Sequence, residues 1–159
     1  MVAGSRHPWL LLAGFLLVVV GGGLAIGAFT RPDAWYAALT KPSFNPPNWV
    51  FGPVWTTLYA MIAVAGWRVW IRDRTAPWAM AWWILQLGLN FAWSPLFFGA
   101  HRIDLALVVI VLLLASIVGF IAQTWKADRL TALLFMPYAA WVSFATLLNA
   151  ALWRLNPQA

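Results

Sequence analysis

Apolar residues run along this chain in blocks far longer than a soluble helix or strand needs, and the charges are confined to the gaps between them. Charged side chains gather at Arg31, Asp33 and Lys41, at Arg68, Arg72, Asp73 and Arg74, at Arg102 and Asp104, and at Lys126, Asp128 and Arg129, with Arg6 and Arg154 near the two ends. Between them lie five uncharged stretches, His7 to Thr30, Pro42 to Trp67, Thr75 to Ala100, Leu105 to Trp125 and Leu130 to Trp153, each of 21 to 26 residues. As a helix even the shortest reaches about 31 Å, against a hydrocarbon core of roughly 30 Å. Runs such as Leu105 to Leu114 do not alternate apolar with polar, which excludes a transmembrane barrel. The pattern predicts an all-α fold, an integral membrane bundle of five transmembrane helices in a single domain covering residues 1–159. The helices are predicted near residues 9–29, 46–70, 77–98, 103–123 and 130–153. The first apolar run is too long for a secretory signal, so that helix is expected to be retained.

Residues 30–45 form the one connection with room for structure. Thr30 is placed to cap a short helix with Pro32 in its first turn, and Trp35, Tyr36 and Leu39 then give an apolar stripe at helical spacing. Asn45, Pro46 and Pro47 end the loop and open the second span, because proline suits the first turn of a helix. The loop is therefore expected to lie over one mouth of the bundle as a lid.

Composition sharpens the picture by exclusion. Of the 159 residues 64% are apolar and 9% charged, with a mean hydropathy of +0.79, more apolar than a water-soluble fold requires. The net charge of +6 sits at span ends, where it meets lipid headgroups, so nucleic acid is not the expected partner. Five spans put the termini on opposite sides of the membrane. Arg6, Arg68, Arg72, Arg74, Lys126 and Arg129 on the amino-terminal side outnumber Arg31, Lys41, Arg102 and Arg154, which leans towards a cytoplasmic amino terminus. There is no cysteine, and His7 and His101 both lie outside the spans, so no metal cluster or axial haem ligand is expected within the bundle. The absence of charge inside the spans argues against a proton pump or ion-coupled transporter.

Thirteen tryptophans remain to be explained. Trp9, Trp49, Trp67, Trp70, Trp78, Trp125 and Trp153 fall near span ends, where indoles favour the membrane interface. Trp35 belongs to the loop, leaving Trp55, Trp82, Trp83, Trp93 and Trp141 at depth. Counted from the lid side, Trp55, Asn90 and Trp141 all lie about 15 to 18 Å down. Phe51, Trp55 and Tyr59 share a face of the second span, Gln86, Asn90 and Trp93 a face of the third, and Tyr138, Trp141, Ala145 and Asn149 a face of the fifth. Amides at that depth either hydrogen-bond across helices as glue or serve a ligand. Their shared level beneath a lid points to a pocket for a flat, largely apolar aromatic molecule. Small-residue pairs, Gly23 with Gly27, Gly88 with Ala92, and Ala115 with Gly119, permit close helix approach within the bundle or in a dimer.

Nearly the whole chain resembles the translocator protein family, also called tryptophan-rich sensory proteins or peripheral-type benzodiazepine receptors. The resemblance is carried by Trp35-Tyr36 with Leu39-Thr40-Lys41-Pro42, Asn45-Pro46-Pro47, and Trp49-Val50-Phe51-Gly52-Pro53-Val54-Trp55-Thr56 with Leu58-Tyr59. Gln86, Asn90, Trp93, Phe97-Phe98-Gly99, Pro137-Tyr138, Trp141, Leu148-Asn149 and Trp153-Arg154 follow in order. It implies a five-helix bundle, usually a homodimer, that needs no cofactor and binds protoporphyrin IX and benzodiazepine-type ligands; the alanine- and tryptophan-rich, arginine-favouring composition points to a bacterial cell membrane. By motif the ligand would meet Tyr36, Trp55, Tyr59, Asn90, Trp93, Trp141, Ala145 and Leu148, to which the depth count adds Gln86 and Asn149. Sterol binding is doubtful, because Ala150 stands where animal members carry a tyrosine; Leu105 likewise replaces a tryptophan.

The resemblance implies a membrane receptor, sensor or carrier for tetrapyrroles. It also leaves open light-dependent porphyrin degradation with Trp55 and Trp141 as the candidate reactive side chains, rather than a dedicated enzyme. A small-molecule or sterol transporter is a third alternative. Arg31, Lys41 and Arg102 lie on the lid side, where they would meet either porphyrin propionates or lipid phosphates.

Overall fold

The computed structural model describes residues 7–72 and 78–157. Arg6, Asp73, Arg74 and the expected start of the third helix at Pro77 lie outside them. Every regular element among the described residues is helical. α1 is Pro8–Phe29, α2 Ala34–Ala38, α3 Asn48–Arg72, α4 Ala79–Ser94, α5 Ile103–Thr124 and α6 Arg129–Leu155. α1, α3, α5 and α6 are each long and apolar enough to cross a bilayer, which makes this a multi-pass membrane protein. α4 has 16 residues and runs on into a five-residue π-helical turn, Pro95–Gly99.

The helix limits follow local chemistry. α3 starts two residues later than its prolines suggest, because Pro46 and Pro47 precede the first hydrogen-bonded turn. Two other prolines, Pro53 in α3 and Pro137 in α6, sit inside helices, against the expectation that proline marks only a beginning. Two threonines in the turn after Pro53 bond back along the same helix, Thr56 Oγ1 donating to Gly52 O and Thr57 Oγ1 to Pro53 O, both at 2.9 Å.

The helices close a ring in which α1 packs on α3, α3 on α6, α6 on α5, α5 on α4, and α4 back on α1. Leu58, Ile62, Trp83, Ile117, Phe120, Phe135, Tyr138 and Val142 fill its middle. Close approach depends on missing side chains: a Cβ at Gly23 would overlap the Tyr59 ring, and one at Gly119 would press on Trp82. Gly23 and Gly119, one glycine from each of two of the three small-residue pairs, thus meet a partner inside the bundle, whereas Gly27 and Gly88 face open space. Outward lie large apolar side chains such as Phe29 and Leu17, 89% and 75% exposed, as a lipid-facing surface requires. Of the seven indoles assigned to span ends, all but half-buried Trp67 are exposed.

Candidate functional site

α2 is the lid, and its capping differs from the expectation. Thr30 does not cap it: Thr30 Oγ1 donates to Ile26 O at 2.7 Å and meets Ser94 Oγ at 2.6 Å, tying the end of α1 to α4. Asp33 takes the role instead, accepting from the Tyr36 amide at 3.1 Å. That backbone N–H, aided by His101 and outweighing slight desolvation, holds the Asp33 carboxyl below its ordinary value. At the other end Lys41 Nζ donates to Tyr36 O, Ala37 O and Leu39 O at 2.8 to 3.3 Å and lies 4.6 Å from the Tyr36 ring centre. Its charge therefore terminates the lid helix, where the helix dipole favours a cation.

Three contacts fasten the lid. His101 stacks on Trp35 with ring centres 4.2 Å apart, and its Nε2 lies 3.2 Å from Asp33 Oδ2. His101 holds a φ of 55°, rare for a residue with a Cβ, and the stack on Trp35 and the contact with Asp33 hold its ring in place. Asn156, just past α6, donates to Thr40 O at 3.0 Å and accepts from Thr40 N at 2.9 Å. Tyr36 and Leu39 meanwhile sink into a cluster with Phe97, Ile103, Ala106, Leu148 and Leu152. Burial pushes the Tyr36 phenol above its usual range.

Beneath the lid the expected polar residues converge in two sets. In the first, Tyr59 Oη donates to Asn90 Oδ1 at 3.0 Å, Asn90 Nδ2 donates to Tyr138 Oη at 2.7 Å, and Tyr138 Oη donates to Gln86 Oε1 at 3.0 Å. Gln86 Nε2 then donates to Trp83 O at 2.9 Å. This single directional chain joins α3, α4 and α6, with Trp55 against it, 5.4 Å from Tyr59 and 6.3 Å from Tyr138 between ring centres. In the second, nearer the lid, Trp93 Nε1 donates to Asn149 Oδ1 and Asn149 Nδ2 to Ile103 O, each at 3.0 Å. Trp93 also stacks on Phe97 at 5.1 Å. The amides are thus paired with protein groups, as glue between helices.

Trp141 and Ala145 pack against the main core from α6, and Leu148 belongs to the lid cluster. Of the three lid-side cations, Lys41 is committed to backbone carbonyls and Arg102 to Asp104 at 2.7 Å, while Arg31 is exposed. Tyr138, the hub of the polar chain, is not among the expected ligand residues although it shares a face with Trp141; its signal was a phenol at the depth of two amides. His101 and Asp33 carried no sequence signal beyond their charge, because only the fold brings them together.

The TspO/MBR family model matches residues 15–154. The chain is 41% identical to "Protein CrtK" of Rhodobacter capsulatus over 84% of this chain and 85% of that protein. It is 37% identical to "Translocator protein" of Homo sapiens, covering 94% and 92% of the two chains, and 36% identical to "Tryptophan-rich sensory protein" of Cereibacter sphaeroides, covering 93% and 92%. With its membrane helices, its roofed aromatic layer and these relatives at comparable length, the chain belongs to the TspO/MBR family.

Proposed function

We propose that this protein is a membrane sensor or carrier that crosses the bilayer five times and binds protoporphyrin IX, or a similar apolar aromatic ligand, under its lid. The observation that carries this is the layer of Trp55, Tyr59, Asn90 and Tyr138 in the interior, with Trp93 and Asn149 between it and a lid fastened at both ends. Aromatic rings at that spacing suit stacking on a macrocycle, and the amides can exchange their internal partners for pyrrole or carbonyl groups. The fifth crossing is α4 with its π-helical turn, together residues 79–99, about 31 Å long at helical rise. A homodimer in a bacterial cell membrane, with no cofactor beyond the ligand, completes the proposal.

Titration of protoporphyrin IX into the protein in lipid nanodiscs, followed by tryptophan quenching, tests it. Trp55→Phe and Asn90→Ala should each weaken binding by about tenfold, as loss of a stacking or hydrogen-bonding anchor does. Unchanged affinity in both removes the layer from the site. Of the cations, Arg31 is the propionate partner, because Lys41 and Arg102 are already engaged. Arg31→Ala should weaken protoporphyrin but leave its dimethyl ester unaffected.

A second reading, light-dependent porphyrin degradation, is favoured by one observation: Trp55 lies within ring-contact distance of Tyr59 and Tyr138, a run of oxidisable side chains. Illuminating bound porphyrin in the parent and in the Trp55→Phe, Trp141→Phe double variant distinguishes it, since equal rates assign the chemistry to the porphyrin alone. Alternating-access transport of a small molecule or sterol has less support, as no charge lies deep in a span and no inverted repeat is evident.

A further inference from the structure

At the end of the bundle away from the lid, positive charge outruns its local partners. Arg68 and Arg72 reach Asp128 from α3, and Lys126 and Arg129 flank it in the chain, four cations against one carboxylate. Arg68 takes both oxygens of that carboxylate at 2.9 Å and is largely buried, so this pair cancels. Arg72 is exposed and makes one longer contact, 3.4 Å from Asp128 Oδ2. Lys126 and Arg129 are exposed and neither meets a carboxylate among the described residues.

Arg129 is also held in place. Its guanidinium carbon lies 5.0 Å from the centre of the Trp125 ring, a contact that fixes the group and leaves its N–H edge free to donate. It is the first residue of α6, where the positive end of the helix dipole disfavours a cation. An anion beside it would relieve that opposition. Apolar surface adjoins the charges: Trp125 just past α5, Leu130, and Leu133 one turn into α6 from Arg129 are all exposed. Since α5 and α6 are membrane helices, this surface faces the upper part of the acyl chains.

We propose that the corner formed by the α5–α6 turn and the start of α6 is a binding site for one anionic phospholipid, its phosphate met by Arg129 and Lys126, with Arg72 adding charge from α3. The cations choose the headgroup. A zwitterionic lipid brings its own ammonium into a field already in positive excess, whereas an anionic one brings only the neutralising charge. The apolar surface chooses a lipid over a soluble phosphate, because acyl chains lie along Leu130 and Leu133 while a free anion leaves them uncovered. The site is at the opposite end of the bundle from the lid and does not depend on tetrapyrrole binding.

The test titrates the full chain in detergent micelles with dioleoylphosphatidylglycerol or dioleoylphosphatidylcholine and counts bound lipids by native mass spectrometry. Phosphatidylglycerol should fill one saturable site about fivefold tighter than phosphatidylcholine, the worth of one charge near a membrane surface. Arg129→Gln and Lys126→Gln should each weaken that first phosphatidylglycerol by about fivefold and leave phosphatidylcholine unchanged; either variant serves if the other fails to fold. Arg154→Gln, which removes an exposed cation at the lid end, should have no effect. Equal affinity for the two lipids, or undiminished phosphatidylglycerol binding in a folded variant of Arg129 or Lys126, would overturn the proposal. An equal loss in Arg154→Gln would overturn it too, by showing diffuse attraction to the whole basic surface. Displacement of the lipid by inorganic pyrophosphate at equimolar concentration would assign the cations to a soluble anion instead and likewise overturn it.

Discussion

Tyr138 shows how much one hydroxyl can organise inside a bilayer. It is fully buried, accepts from Asn90 and donates to Gln86, so one oxygen joins two amides that otherwise face hydrocarbon. Tyr138→Phe keeps the ring against Trp55 and Phe135 but strands the Asn90 amide N–H and the Gln86 carbonyl. The expected cost is about 2–3 kcal/mol, the penalty for buried groups left unpaired rather than the worth of one bond. Thermal unfolding in detergent should show it as a lowered midpoint, and Tyr138→Phe with Gln86→Leu should recover part of the loss by removing one orphan. A variant as stable as the parent would mean that the amides find other partners.

At the scale of elements the lid is where sequence and fold part company. The apolar stripe of Trp35, Tyr36 and Leu39 was legible, and all three pack inward or against His101. The cap was not. Thr30 and Asp33 are both good capping residues, and the choice was made by Ser94, 64 positions away, which draws the Thr30 hydroxyl to α4. The long helices were legible to within two residues, because length and hydropathy alone decide them. The interior prolines were less so, since their tolerance depends on the helices packed beside them. The second lid fastening gives a prediction: Asn156→Ala removes both bonds to Thr40. Amide hydrogen exchange across residues 34–41 should quicken by about five- to tenfold, while the middle of α3 stays protected. Uniform exchange across both segments would mean that the lid does not open separately from the bundle.

For the whole molecule the sequence could not say how the ring closes at the end away from the lid. Arg68 and Arg72 look like residues that meet lipid phosphates, yet both turn to Asp128 at the start of α6. Arg68 contacts both carboxylate oxygens at 2.9 Å and donates to Thr131 Oγ1 at 2.9 Å, with side-chain exposures of 16% for Arg68 and 11% for Asp128. Asp128 also accepts from the Thr131 amide, capping α6. One carboxylate thus joins α3 to α6 at one end, while the lid and Asn156 secure α6 at the other. Burial pushes the Asp128 carboxyl up, but hydrogen bonds from Arg68 and Thr131 outweigh it and leave the group below its ordinary value of 3.8. A carboxyl depressed on folding contributes stability that is fully present above its unfolded pKa and is lost as pH falls through the folded one. The melting midpoint should therefore hold from neutral pH down to about 5 and decline below about 4. Asp128→Asn should lower stability at neutral pH by about 3 kcal/mol, because it leaves Arg68 without its partner in a nearly buried setting, and should flatten the acid decline. If the variant's acid profile instead runs parallel to the parent's, the acid loss arises at other carboxylates and the clasp contributes only packing.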